Sequence, residues 1–257
     1  YYWVYENITH KPLRYSDFNI GNKLRTDKDA LIYINDWIGT DKEVLNRRIA
    51  NDCDSIVAGL YEYWVTYNAV FPNKTVFIPF PIRAKKVPVP ISCKYPIKIF
   101  IGINRQRSSY KGTDIMLKAA KAIAKDYPEK VLLTIAESMP FSKYVITMQQ
   151  SDVIIDQLYS YTPAMNALEA MSRGLIVVGG GEPENYNIIG ECQLKPIINV
   201  EPNYDSVYAK LKSLVINDIE NITKLKRQSV EYVSRHHDYI KVAKQYEQLY
   251  ASLINLK

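Results

Sequence analysis

Arg105, Arg107 and Lys111 fall within seven residues of one another and run into Gly112. They lie between an apolar run, Ile97–Ile103, and a helical pattern that starts at Thr113. Cations beside free backbone amides at a helix start are what a diphosphate needs: charge to neutralise and N–H groups to accept. The same cluster on an open loop would merely be solvated, and the residues alone leave both readings open. A second candidate is Glu169. A carboxylate has two acceptor oxygens and can hold both hydroxyls of a vicinal diol such as a ribose. Its alternative is an i,i+4 pair with Arg173 on a helix surface. The third is Ser160-Tyr161-Thr162, whose hydroxyls and amides suit a phosphate or a sugar. There Thr162 is expected to cap a helix whose first residue is Pro163, leaving amides at 162–164 for a ligand. Asp156-Gln157 and Glu184 are polar groups near the same rim and equally suited to turns.

These residues belong to a strand–loop–helix–strand unit. Val153–Ile155 is a short β-branched run, Met165, Leu168 and Met171 recur at helical spacing, and Gly174 ends the helix. Leu175 to Val178 is a second buried strand closed by three glycines. Further strands are read at Ile97–Ile103, Val131–Ala136 and Ile197–Val200. Helices are read at Thr113–Tyr127, near Ser142–Gln149, and at Ser206–Asn217, Ile219–Arg235 and Ile240–Leu256. This alternation predicts a doubly wound parallel sheet, whose ligands sit beyond the strand C-termini. The first part of the chain is less regular. Asp29–Asn35 (DALIYIN) reads as a strand, followed by a helix around Lys42–Asn51, a strand Asp54–Ala58, a helix Tyr61–Val70 and a strand Thr75–Ile78. It resembles the back end of a domain with a short or missing front. Pro79, Pro81, Pro88, Pro90 and Pro96 make the segment between the two parts a stiff extended linker.

With 257 residues, 47% hydrophobic and 23% charged, the composition is that of a globular protein able to bury a sizeable core. The net charge of +6 is shared by both parts. Residues 1–95 hold 13 Lys and Arg against 10 Asp and Glu, and the remainder 20 against 17. An even excess makes no nucleic-acid stripe, but it suits an anionic small ligand or loose peripheral attraction to an anionic membrane surface. No run approaches the length of a membrane span, and the opening residues show no signal-peptide pattern. Cys53, Cys93 and Cys192 are scattered, which fits a reducing, cytoplasmic compartment. No P-loop, G-x-G-x-x-G, G-x-S-x-G or H-E-x-x-H motif is present.

Three stretches, IGINRQRSSYKGTDIMLKAA (101–120), SDVIIDQ (151–157) and ALEAMSRGLIVVGG (167–180), together resemble the retaining GT-B glycosyltransferases (glycosyltransferase family 4, glycosyl transferases group 1). The resemblance covers roughly residues 75–255. It implies two Rossmann-like domains with a cleft between them, the first one short. The expected division is a partial acceptor-side domain at 1–80, a linker at 81–96, a nucleotide-sugar domain at 97–238, and a last helix at 239–257 packing back on the first domain. It implies that Lys111, with Arg105 or Arg107, holds the donor diphosphate beside Gly112 and the 161–164 loop (Tyr161, Thr162, Ala164). Glu169 holds the ribose, and the base lies near Ala136, Glu137 and Met139. The implied activity is hexosyl transfer, with retention, from a nucleotide diphosphate sugar to a saccharide or lipid-linked acceptor. Bacterial surface polysaccharide or glycolipid synthesis at the inner face of the membrane is its setting. No cofactor is expected beyond the donor. No metal is expected either, since protein cations neutralise the diphosphate and no Asp-x-Asp motif is present. One departure stands out. The family places a second, sugar-contacting glutamate eight residues before the ribose-binding one, where this chain has Tyr161. That departure and the short first domain keep open a non-catalytic nucleotide-sugar-binding relative, and the shared GT-B fold keeps open a nucleotide-sugar epimerase.

Overall fold

A computed structural model of the chain describes residues 1–83 and 91–255; the linker prolines Pro88 and Pro90 lie outside the described residues. The chain opens with helix α1 (Tyr2–Thr9) and a small hairpin of β1 (Asn19–Ile20) and β2 (Lys23–Leu24). Helices α2 (Lys28–Trp37) and α3 (Asp41–Asp52) follow. Strand β3 (Ile56–Ala58) then pairs in parallel with β4 (Thr75–Phe77) across helix α4 (Tyr61–Val70).

The expected strand at 29–35 is therefore a helix. Asp27 caps it, accepting from the Ala30 amide at 3.1 Å. Its inward face is Ala30, Tyr33, Ile34 and Trp37, an i, i+3, i+4, i+7 stripe, while Leu31 and Ile32 stay exposed. The β-branched composition masked a helical period.

The second part is built as expected. Its strands are β5 (Ile97–Ile103), β6 (Val131–Glu137), β7 (Val153–Ile155), β8 (Ile176–Gly179) and β9 (Ile198–Asn199). They form one all-parallel sheet in the order β6-β5-β7-β8-β9. Helices α5 (Ser108–Lys111), α6 (Thr113–Asp126), α7 (Phe141–Gln149), α8 (Met165–Ser172), α9 (Pro183–Ile189), α10 (Tyr204–Ile216) and α11 (Ile219–His236) cover it. One face packs Met116, Ala120 and Ile123 against Leu211 and Val215. The other packs Met148, Leu168 and Met171 against Tyr232 and Val233. Strands buried on both faces need apolar residues at every position, which is why Val153, Ile154 and Ile155 are a run and not an alternation. The order reverses at β5, so the crevice beyond β5 and β7 is the topological switch point where such sheets bind ligands.

Two local readings change. The segment Asn104–Gly112 is not an open loop. Asn104 caps a 3-10 turn at Arg105–Arg107 that runs into α5, and Gly112, at φ +69°, turns the chain into α6. A Cβ on Gly112 would stand 2.6 Å from Cβ of Leu158, so the position needs glycine for both its backbone and its closeness to the β7 loop. Thr162 does not cap α8. That helix starts at Met165 with Ala164 as its N-cap, and the Thr162 hydroxyl accepts instead from the Tyr61 amide at 3.0 Å. A helix over Pro183–Ile189, absent from the sequence reading, follows the glycine turn.

The final helix, α12 (Tyr239–Asn255), is tied at its first turn. The Ile82 amide donates to the His237 carbonyl at 2.6 Å and the Tyr239 amide to the Ile82 carbonyl at 3.1 Å. Within it Val242 is buried. Among the described residues no helix is long and apolar enough to cross a membrane.

Candidate functional site

The ends of β5, β6 and β7 enclose a cavity of about 610 Å³ lined by Gly102, Asn104, Lys111, Ala136, Met139 and Asp156, among others. Gly102 lets the Tyr144 ring close over this space; a Cβ there would meet the ring at 2.8 Å. The Tyr144 hydroxyl donates to Oδ1 of Asn166 at 3.0 Å, and Nδ2 of Asn166 donates to Oδ1 of Asp156 at 2.9 Å. The chain Tyr144–Asn166–Asp156 thus holds a carboxylate at the strand end. Burial raises the Asp156 pKa, opposed by the Asn166 hydrogen bond and the Lys111 charge. On the opposite lip Ser138, a non-glycine residue at φ +50°, ends β6 in a conformation that costs energy and marks this rim.

A second cavity of about 390 Å³ lies between the two parts of the chain. Lys111, Asp156 and Asn166 line both cavities, so the two adjoin along these three residues. From the first part of the chain Asp17, Glu62, Tyr63 and Trp3 face the second one. Burial pushes Asp17 up to about 7, against a hydrogen bond with Tyr110 and the charges of Arg25 and Lys111. Glu62 is 4% exposed. Its Oε1 accepts from Tyr161 N at 2.6 Å, Thr162 N at 3.0 Å and Ser160 Oγ at 3.0 Å.

The hairpin segment clamps the two parts together. Arg25 donates to the carbonyls of Ser109 at 2.6 Å and Tyr110 at 3.1 Å, and its guanidinium lies 3.9 Å from the Tyr159 ring centroid. Arg14 donates to Oε2 of Glu182 at 2.8 Å and also pairs with Glu184, while Tyr15 donates to Oε1 of Glu182 at 2.6 Å. The basic 105–111 segment is thereby held from its outer side.

The candidate residues divide. Lys111 stands where the cavities join, and Arg107 lines the second one, with its guanidinium 6.0 Å from the Tyr110 ring. Ala164, at the start of α8, also lines it. Arg105 borders the first cavity but is 82% exposed and pairs with Glu137 at the rim, and its hydrogen bond lowers the Glu137 pKa. Gly112 shapes the turn. Tyr161 is 1% exposed; its ring packs at 4.7 Å on Tyr15 and 5.8 Å on Tyr61 and lines neither cavity. The amides of Tyr161 and Thr162, expected to be open to a ligand, are taken by Glu62, which corrects their reading as free anion donors. Glu169 is engaged by Arg173, whose Nε donates at 2.7 Å, so the i,i+4 pair forms. Asp17, Glu62, Tyr144 and Asn166 were not singled out in the sequence. Asn166 alone carried a signal, as a polar residue in the first turn of the helix that follows the strand-end Asp156.

No protein-family model and no curated protein matches the chain. Solved structures do. A TarM mutant from S. aureus, in complex with fondaparinux, alpha-GlcNAc-glycerol and UDP, matches at TM-score 0.59 and 13% identity over 82% of this chain and 46% of its own. The trehalose-6-phosphate synthase OtsA matches at TM-score 0.59 and 13% identity, over 82% and 62%. Sucrose-phosphate synthase from Thermosynechococcus elongatus matches at 0.55 and 14%, over 86% and 65%. The chain spans about half the length of the first of these relatives, 46%. The likeness is one of fold, and it makes this chain GT-B-like.

Proposed function

We propose that the chain binds a nucleotide diphosphate sugar across the two joined cavities and transfers the sugar, with retention, to a hydroxyl of a saccharide or lipid-linked acceptor. The observation that carries this reading is the place of Lys111. It is the cation common to a switch-point cavity and to the cleft cavity beside it. A diphosphate at that junction puts the nucleoside in the first cavity, near Ala136 and Met139, and the sugar in the second. The chemistry is then positioning plus neutralisation of the leaving diphosphate by Lys111 and Arg107. The N-terminal end of α8, opening at Ala164 on the cleft wall, adds partial positive charge. Protein cations supply this neutralisation without a metal or cofactor. Bacterial surface polysaccharide or glycolipid synthesis, in the cytoplasm at the inner membrane face, is the setting that the basic surface suits.

A thermal-shift screen with UDP, GDP and ADP and their sugars tests the reading. Ligand at a hundred times its Kd stabilises the fold by about 2.7 kcal/mol, a readily measured shift. No shift with any of the three removes the donor reading. A shift without sugar transfer or hydrolysis would favour a non-catalytic nucleotide-sugar binder.

Glu169 holds the donor ribose in this reading, exchanging the Arg173 guanidinium for the diol. Glu169→Ala should weaken nucleoside diphosphate binding by roughly 1–3 kcal/mol, the cost of losing hydrogen bonds to a charged group. Unchanged affinity in isothermal titration would leave Glu169 as a surface partner of Arg173 and no more.

One observation favours a second reading. Asp17 and Asp156 both face the cleft cavity, and burial raises both. Two such carboxyls around one sugar are the acid and base a nucleotide-sugar epimerase requires. Deuterium from solvent entering the sugar of a bound donor would identify that chemistry; a transferase leaves the sugar carbons unexchanged.

A further inference from the structure

Glu62 is a carboxylate split between two environments. Oε1 is saturated by three donors from residues 160–162, which lie about a hundred positions further along the chain. Oε2 is buried and has no hydrogen-bond partner among the described residues. The side chain is 4% exposed and lines the cleft cavity. A buried acceptor oxygen without a donor is costly, and native structures keep such groups where something else supplies the donor. The wall around it is suited to a polyol. Asn166, Gln157 and Asp156 offer further polar groups, and Trp3, Tyr63 and Phe80 offer aromatic faces for C–H surfaces. Lys111 stands at the same cavity's junction with the nucleoside side.

We propose that Oε2 of Glu62 accepts a hydrogen bond from a hydroxyl of the donor's sugar, so that a helix of the first part supplies a sugar-binding carboxylate to the cleft. The proposal rests on the donor reading above and specifies its sugar half. Its geometry bears on Tyr161, which turns its ring into the core and leaves its amide to Glu62. Oε1 positions the loop, and Oε2 reads the sugar.

Glu62→Gln separates these roles. The amide oxygen can keep the three bonds to residues 160–162, while the unpartnered second oxygen becomes an NH2 that can no longer accept. UDP, GDP and ADP are titrated into wild type and variant, each beside its sugar conjugate: UDP-glucose and UDP-N-acetylglucosamine, GDP-mannose, and ADP-glucose. Glu62→Gln should bind the free diphosphate as wild type does and bind the sugar conjugate about tenfold or more weaker, the loss expected for a hydrogen bond to a charged group. Equal affinity of variant and wild type for the conjugate overturns the proposal. So does a parallel loss for diphosphate and conjugate, which would make Glu62 a support of the loop alone. A second measurement needs no variant. Among monodeoxy analogues of the conjugate that binds wild type, one should bind about tenfold weaker than the rest, and a uniform series overturns the proposal. If wild type binds none of the three free diphosphates, the donor reading itself has failed, a result distinct from these.

Discussion

Lys111→Ala is expected to weaken nucleoside diphosphate binding by about tenfold to a hundredfold, the equivalent of losing one charge-assisted contact of about 1.5–3 kcal/mol. The lysine lines the cleft cavity together with two carboxyl groups, Asp17 and Asp156, and its charge opposes the upward shift of both. Removing the ammonium takes away the phosphate's cation and also leaves both carboxylates facing an incoming anion. The loss should therefore lie at the upper end of that range and fall mainly on the phosphate-bearing ligands. A nucleoside without phosphate should bind both proteins alike. The salt dependence supplies an independent reading, because each ionic contact to phosphate adds to the slope of affinity against salt. Titration of UDP, GDP or ADP at two salt concentrations should give a shallower slope for the variant. An unaltered slope and affinity would remove Lys111 from the phosphate site.

The same experiment ranks the three basic residues. Arg105 is fully solvated and already committed to Glu137, so its alanine variant should differ little from wild type. Arg107 faces the cleft cavity and should have an intermediate effect. This ordering could not have been drawn from the sequence, where all three lie on one stretch and carry the same charge. What separates them is the 3-10 turn and the short helix that follow β5, which point Arg105 outward and Lys111 inward.

That contrast shows why some of the architecture was legible and some was not. Strands β7 and β8 could be read directly because each is buried on both faces and so is an uninterrupted apolar run, and β5 because Lys98 alone breaks its run. The helix at 28–37 could not, since Leu31, Ile32 and Ile34 look like strand residues while only the spacing of Ala30, Tyr33, Ile34 and Trp37 reveals the buried stripe. The site divides along the same line. Lys111 was visible because a strand C-terminus and a helix start flank it in sequence. Glu62 and Asp17 were invisible because their relation to the cleft is made by tertiary contacts. Ser160 and Glu62 are 98 residues apart, and nothing local to α4 distinguishes Glu62 from a helix surface residue. Tyr161 is the instructive case. Its position in the motif was read as a departure, and its ring packs outside the cleft against Tyr15, Tyr61 and Arg14.

Lowering the pH should loosen the junction of the two parts through His237. This residue is 1% exposed, packed against the Tyr232 ring, and its Nδ1 donates to the Phe80 carbonyl at 2.9 Å, while Nε2 has no partner among the described residues. Burial holds its pKa down to about 4, from an ordinary value of about 6.5. The folded chain thus binds this proton less tightly than the unfolded chain. Its stabilising contribution is complete above the ordinary pKa and is lost as pH falls toward the folded value. Asp17 acts in the opposite sense over an overlapping range. Raised to about 7, it holds its proton more tightly when folded and favours the folded state increasingly as pH falls toward its ordinary value. Glu191 titrates lower. Burial alone would raise it, but the His236 hydrogen bond, the amides of Leu194 and Gln193 and the Arg235 charge together hold it near 2. Opposed titrations make the raw stability curve a poor witness, and a difference between two proteins is needed. His237→Gln keeps a donor for Phe80 and removes the titration. Wild type should exceed this variant in unfolding free energy at pH 7.5, and the margin should shrink by about 2–3 kcal/mol by pH 4.5, measured by urea denaturation at both values. A margin independent of pH would mean that the ring is solvated or already paired. The effect matters to the cleft because His237 sits at the one backbone crossing where residues 80–82 meet 237–239. A proton there strains the hold on Phe80, which lines the cleft cavity.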